Sequence, residues 1–174
     1  MNEEIGRGVE DPIFGEPWDV EPEANYGVLI GGMATYDEEL MAMAYKVAAD
    51  GLVEQALRSK DRSWEVVPPI LFLYRHTVEL YLKWVVQPVK RDHSLLELVE
   101  QASDIAKRRV GKSFPNWVKA RLLEFARYDP GGTTFRYADS RQPLPSEEHW
   151  IHLDHLRQVI EVLTTGLAKL ARLE

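Results

Sequence analysis

The sequence predicts an all-α protein, an antiparallel bundle of about five helices preceded by an extended acidic N-terminal arm. Apolar residues recur at three- and four-residue spacing over five long segments. Mostly short polar connections join these segments, with capping and turn residues at the joints, and nothing reads as a confident strand. A chain of 174 residues is the size of one ordinary domain and can bury a substantial core. The absence of cysteine excludes disulfides, thiolate metal sites and thiol nucleophiles, and is compatible with a reducing cytoplasm. Met1 to Pro12 lacks the basic and then apolar pattern of a secretory signal, and the longest apolar run is broken by Arg75, Glu79 and Lys83. A soluble cytoplasmic protein without a membrane span is the expectation.

Residues 1–34 mix acids with prolines and glycines, a composition that suits an extended arm better than a folded layer. Ile13, Phe14, Trp18 and Tyr26 to Ile30 give it apolar anchors, so a partly ordered strap is expected. The whole formal charge of −7 lies in residues 1–23, where eight acids face Arg7 alone. Residues 35–174, the bundle, are balanced. Within them Lys83 to Arg141 holds twelve Lys and Arg against seven Asp and Glu, which reads either as a solvated mixed-charge surface or as a patch for phosphate or RNA.

The first helix is expected from a capping box, Thr35 with Glu38, to about Arg58. Its apolar face is read as Leu40, Met41, Ala44, Tyr45, Val47, Ala48, Leu52, Ala56 and Leu57. The second helix carries Pro69 in its first turn and is stopped by Pro88 just after Val86. A third opens at Ser94, boxed with Glu97, and ends in the basic run Lys107-Arg108-Arg109 and Gly111, which suit the negative pole and the left-handed cap. The fourth follows Pro115, turns Trp117, Val118, Leu122, Phe125 and Ala126 inward, and stops at Asp129-Pro130-Gly131-Gly132. After an irregular loop, Pro130 to Pro145, the last helix is expected to open at Ser146 and to keep Leu153, Leu156, Ile160, Leu163, Leu167 and Leu170 on one side.

The second helix is apolar around most of its circumference, the mark of a central, buried helix. One arc interrupts it with Arg75, His76, Glu79 and Lys83. Buried ions must be paired or serve a purpose. The stripe is therefore an internal ion-pair ladder at i, i+4 spacing, or the floor of a site in which two cations hold a phosphate and a base moves a proton. His149, His152 and His155 are spaced by three, but i+3 steps wind too far around a helix to share one metal ion, so surface histidines are the preferred reading. No phosphate-binding glycine loop, dinucleotide fingerprint, nucleophile elbow or zinc-protease motif occurs, and no metal or cofactor is expected.

Arg75-His76-Thr77-Val78-Glu79-Leu80-Tyr81-Leu82-Lys83, followed by His93-Ser94-Leu95-Leu96-Glu97-Leu98 and later by Phe135-Arg136-Tyr137, resembles the HEPN superfamily of bacterial helical-bundle domains. The resemblance covers residues 36–172. It implies a helical bundle, frequent homodimers, and RNA cleavage or RNA and nucleotide binding in toxin-antitoxin, antiphage or stress systems, sometimes beside a nucleotidyltransferase partner. Catalytic members of that superfamily share an Arg-x-x-x-x-His motif on a late helix. No Arg in this chain has a His five residues later, and the reversed pair His152 and Arg157 does not reproduce its geometry. The expected ligand contacts are Arg75, Glu79, Lys83, Arg136 and Tyr137, converging on a polar cleft between the central helix and the loop. His76 or His93 would transfer the proton in any metal-independent ribonuclease reaction. The alternative is a non-catalytic protein-interaction module, with the stripe as an internal ion-pair network and the acidic arm docking on a partner.

Overall fold

The computed structural model describes residues 37–59, 63–88, 94–136 and 148–173. The elements are α1 (Glu38–Arg58), a short 3-10 turn (Ser63–Val66), α2 (Val67–Val86), α3 (Leu95–Val110), α4 (Asn116–Tyr128) and α5 (Leu153–Ala171). No strand occurs among the described residues, and the all-α bundle is the observed architecture. None of the described helices is long and apolar enough to cross a membrane. The acidic arm expected over residues 1–34 lies outside the described residues.

The start of α1 is capped by Asp37, whose Oδ1 accepts the Leu40 N–H at 2.7 Å; the cap expected at Thr35 falls outside the described residues. Asp37 is a stronger cap and places Glu38 and Glu39 at the positive end of the helix dipole. Ser94 caps α3 by accepting the Glu97 N–H, and Gly111 ends it at φ 78°, both as the sequence predicts. Gln87 closes α2 in the same left-handed conformation just before Pro88. The start of α5 differs from expectation. Residues 148–152 are not helical and the helix begins at Leu153, after an N-cap position held by His152. His149 and His152 therefore precede the helix that His155 lies on. Trp150 and Ile151 stay exposed there, so a helix begun earlier would have gained no buried face.

Helix α2 is the axis of the bundle and packs against α1, α3 and α5, while α4 packs on α3 and α5. It contributes Ile70, Tyr74, Val78, Tyr81, Leu82 and Val85 to the core, where each fully buried aliphatic side chain is worth about 1.5–3 kcal/mol. Leu95, Leu98, Val99, Ala102, Ile105 and Ala106 of α3 and Ile160, Leu163, Leu167 and Leu170 of α5 join them as the periodicity predicts. Helix α1 buries only part of the predicted face: Ala56 is buried and Leu52 packs on the core as predicted, Ala42, Ala49 and Val53 join them, and Leu40, Val47 and Leu57 are exposed. Small side chains let the α1 backbone approach α2 closely, and that approach decides which face turns inward. Trp117 of α4, expected inside, is also exposed, while Leu122 and Phe125 are buried.

A polar connection fixes α1 and α5 onto α2. The hydroxyl of Tyr74, wholly buried, donates to Asp50 Oδ1 at 2.6 Å. Lys46 bridges Asp50 Oδ2 and Glu161 Oε2, both at 2.7 Å. Burial and the Asp50 carboxylate push the Tyr74 phenol well above its ordinary value of 10. Burial works against the charge on Lys46, but its hydrogen bonds to Asp50 and Glu161 outweigh it and raise the ammonium pKa, while the Lys46 hydrogen bond lowers the carboxyl of Glu161.

A raised folded-state pKa contributes stability that is complete below the unfolded value and is lost as pH rises above it. Denaturant unfolding measured above pH 10 should therefore show Tyr74 as a loss of about 1.4 kcal/mol per pH unit, the slope of one proton held only by the folded state. Tyr74→Phe should remove that one-proton component, while costing about 1.5–3 kcal/mol at neutral pH for the lost bond to a charged acceptor.

Candidate functional site

Successive turns of α2 stack Arg75, Glu79 and Lys83 into a ladder, because residues four apart lie one above another on a helix. Arg75 Nη1 donates to Glu79 Oε2 at 2.7 Å, and Lys83 Nζ donates to Glu79 Oε1 at 2.6 Å. Glu79 thus receives a cation on each oxygen. Arg75 is 2% exposed and Glu79 1%, while Lys83 reaches partly into solvent.

The other side of Arg75 holds the end of α4. Asp129, the residue that closes this helix, is fully buried. Arg75 Nε donates to the Asp129 carbonyl at 2.8 Å, with Asp129 Oδ2 3.2 Å away from the same nitrogen and accepting no hydrogen bond among the described residues. Asp129 Oδ1 accepts the N–H groups of Thr133 at 2.7 Å and Thr134 at 2.9 Å, which folds the loop back over its own carboxylate. Gly132 allows this. Its φ is 72°, and a Cβ there would stand 3.1 Å from Arg75 Nη1. Among the described residues two cations and two carboxylates face one another, so no ion of the set is buried uncompensated.

From this clamp the loop runs to exposed Arg136, whose N–H donates to the Thr133 carbonyl at 3.1 Å. The Arg136 guanidinium lies over the ring of Phe72, 5.6 Å from its centroid. Phe72 also stacks with His76, centroids 5.9 Å apart at 8°, and His76 meets Tyr45 of α1 edge-on at 4.5 Å. His76 is consequently half-buried in an aromatic setting between α1 and α2.

Arg75, Glu79 and Lys83 are thus joined directly, and Arg136 and His76 meet through Phe72. His93 and Tyr137 lie outside the described residues. The sequence reading missed Asp129 and Gly132, although Asp-Pro-Gly-Gly had marked the place as a helix stop; a carboxylate there was a candidate partner for a buried arginine. It also missed Phe72, and it read Tyr45 only as part of the apolar face of the first helix. His149 packs edge-on against Tyr128 at 5.2 Å, and no cluster of three or more His, Asp or Glu residues suited to a metal ion occurs among the described residues. Comparison of the chain with protein-family models, curated proteins and solved structures returned no match.

The clamp makes stability sensitive to single atoms. Arg75→Met, which leaves both carboxylates buried without their shared cation, should cost about 3–5 kcal/mol in chemical denaturation. Gly132→Ala should cost more than about 1 kcal/mol from its left-handed backbone alone, with the crowding of Arg75 in addition. The control is Gly166→Ala at an exposed position of α5, where a Cβ meets nothing within 4 Å and up to about 1 kcal/mol should be gained.

Proposed function

We propose that the chain is a HEPN-like RNA- or nucleotide-binding protein that works as a homodimer in a stress, toxin-antitoxin or antiphage setting, with a nucleotidyltransferase or antitoxin as partner. The observation that carries this reading is the clamp of Arg75 on Asp129, which holds an arginine-bearing loop against a helix that also carries Lys83 and His76. Fixed loops with exposed cations suit phosphate recognition, because the binding group is positioned before the ligand arrives. Arg75 itself is enclosed, so its part in this reading is to hold the loop. Arg136 and Lys83 are the phosphate contacts. His76 is the proton-transfer group of any metal-independent cleavage, in which it would act beside those cations on the phosphodiester.

The enclosure of the ladder also favours the second reading, a protein-interaction module in which these charges only support the fold. A labelled structured RNA, offered at low salt with chelator present, separates the two. The first reading expects retention that weakens steeply as salt rises, with Arg136→Ala reducing the slope of log affinity against log salt by about 1. Cleavage lost in His76→Ala with retention intact would make the protein a metal-independent ribonuclease. Neither retention nor cleavage by the wild type would favour the interaction module.

A further inference from the structure

The corner where α3 passes into α4 is strongly basic. From Lys107 to Leu123 there are six Lys and Arg and no Asp or Glu, in a chain whose formal charge is −7. Lys107, Arg108 and Lys112 are exposed, and none of them has an ion-pair partner among the described residues. Helix stability does not account for them. Gly111 closes α3 with its own N–H on the Lys107 carbonyl, and Arg109 donates across to the Leu170 carbonyl of α5 at 3.0 Å. The α3 dipole favours cations at its end, but Lys112 and Lys119 stand just before and within the first turn of α4, where the dipole favours acids and none occurs. Trp117 lies in that same turn and is 50% exposed. Phe114 takes the inward place instead: its side chain packs on the core and its N–H donates to the Ser103 hydroxyl at 3.2 Å, which fixes the turn that carries Lys112 and leads into Trp117.

We propose that this corner binds a single-stranded nucleic acid, with Arg108 and Lys112 on its phosphates and Trp117 stacked on an unpaired base. Cations without acidic partners attract a polyanion by releasing its counterions. An exposed aromatic ring among them adds a contact that an acidic peptide does not use, since every base offers a face to stack upon. A double helix keeps those faces inside, and a bilayer surface calls for a wider apolar face than Trp117 and its exposed neighbour Val110 present. Helix α4, 13 residues and about 20 Å long, separates the corner from the Asp129 clamp at its other end. The corner is therefore a second surface, and the inference goes beyond the proposed function without depending on the Arg136 loop.

Fluorescence anisotropy of a short labelled oligouridine with the full chain, over a salt series, tests it. Wild type should bind with an affinity that falls as salt rises. Trp117→Ala should weaken binding about 10-fold or more and leave the salt slope unchanged. Arg108→Ala and Lys112→Ala should each reduce the slope of log affinity against log salt by about 0.7. Circular dichroism melts of the three variants should match wild type, because each side chain is exposed. An abasic strand of the same length and charge should bind wild type as weakly as oligouridine binds Trp117→Ala. Equal affinity for the two strands, or no binding of oligouridine at low salt, overturns the proposal. Binding to vesicles of equal phosphatidylserine and phosphatidylcholine in place of oligouridine overturns it too. A loss in Arg136→Ala with the three corner variants unchanged overturns the corner and keeps the loop; the converse supports the corner and counts against the loop.

Discussion

Placing charge inside the most apolar helix of the chain is the constraint from which the rest follows. Helix α2 cannot occupy the centre of the bundle unless Arg75 and Glu79 arrive there already compensated, since a lone buried ion costs several kcal/mol. Glu79 is satisfied within the helix by Arg75 and Lys83. Arg75 is not: the remaining face of its guanidinium needs an acceptor from elsewhere, and Asp129 supplies both a carbonyl and a carboxylate. The end of α4 and the course of the following loop are therefore dictated from α2. A carboxylate that also gathers two backbone N–H groups makes this a rigid joint rather than a lone ion pair.

The hydrophobic effect that drives the helices together is not directional. An alanine-rich face such as that of α1 could slide or rotate against α2 at small cost. Directional contacts remove that freedom. Tyr74, one residue before Arg75 and so pointing about 100° away around the helix, ties α2 to Asp50, and Lys46 carries the link on to Glu161. Adjacent residues of α2 thus orient opposite neighbours: Tyr74 fixes α1 and α5, and Arg75 fixes the end of α4.

Much of this was legible in the sequence wherever one residue settles the matter locally. Ser94 and Gly111 mark the ends of α3 by their own backbone preferences, and the regular Leu and Ile spacing of α5 names its buried side. The face of α1 was legible only in part: Leu52 and Ala56 turn inward as their spacing suggests, but at Leu40 and Val47 the rule that large apolar residues turn inward lost to the close packing of Ala42, Ala49 and Val53. Within the candidate site the i, i+4 ladder could be read directly from Arg75, Glu79 and Lys83. Its completion by Asp129 could not, since 54 residues separate the partners and only the packing of α2, α3 and α4 brings them together. The last helix was read too early because Ser146 with Glu147 and Glu148 satisfies the capping rule, yet the residues after it offer no face for the core to bury.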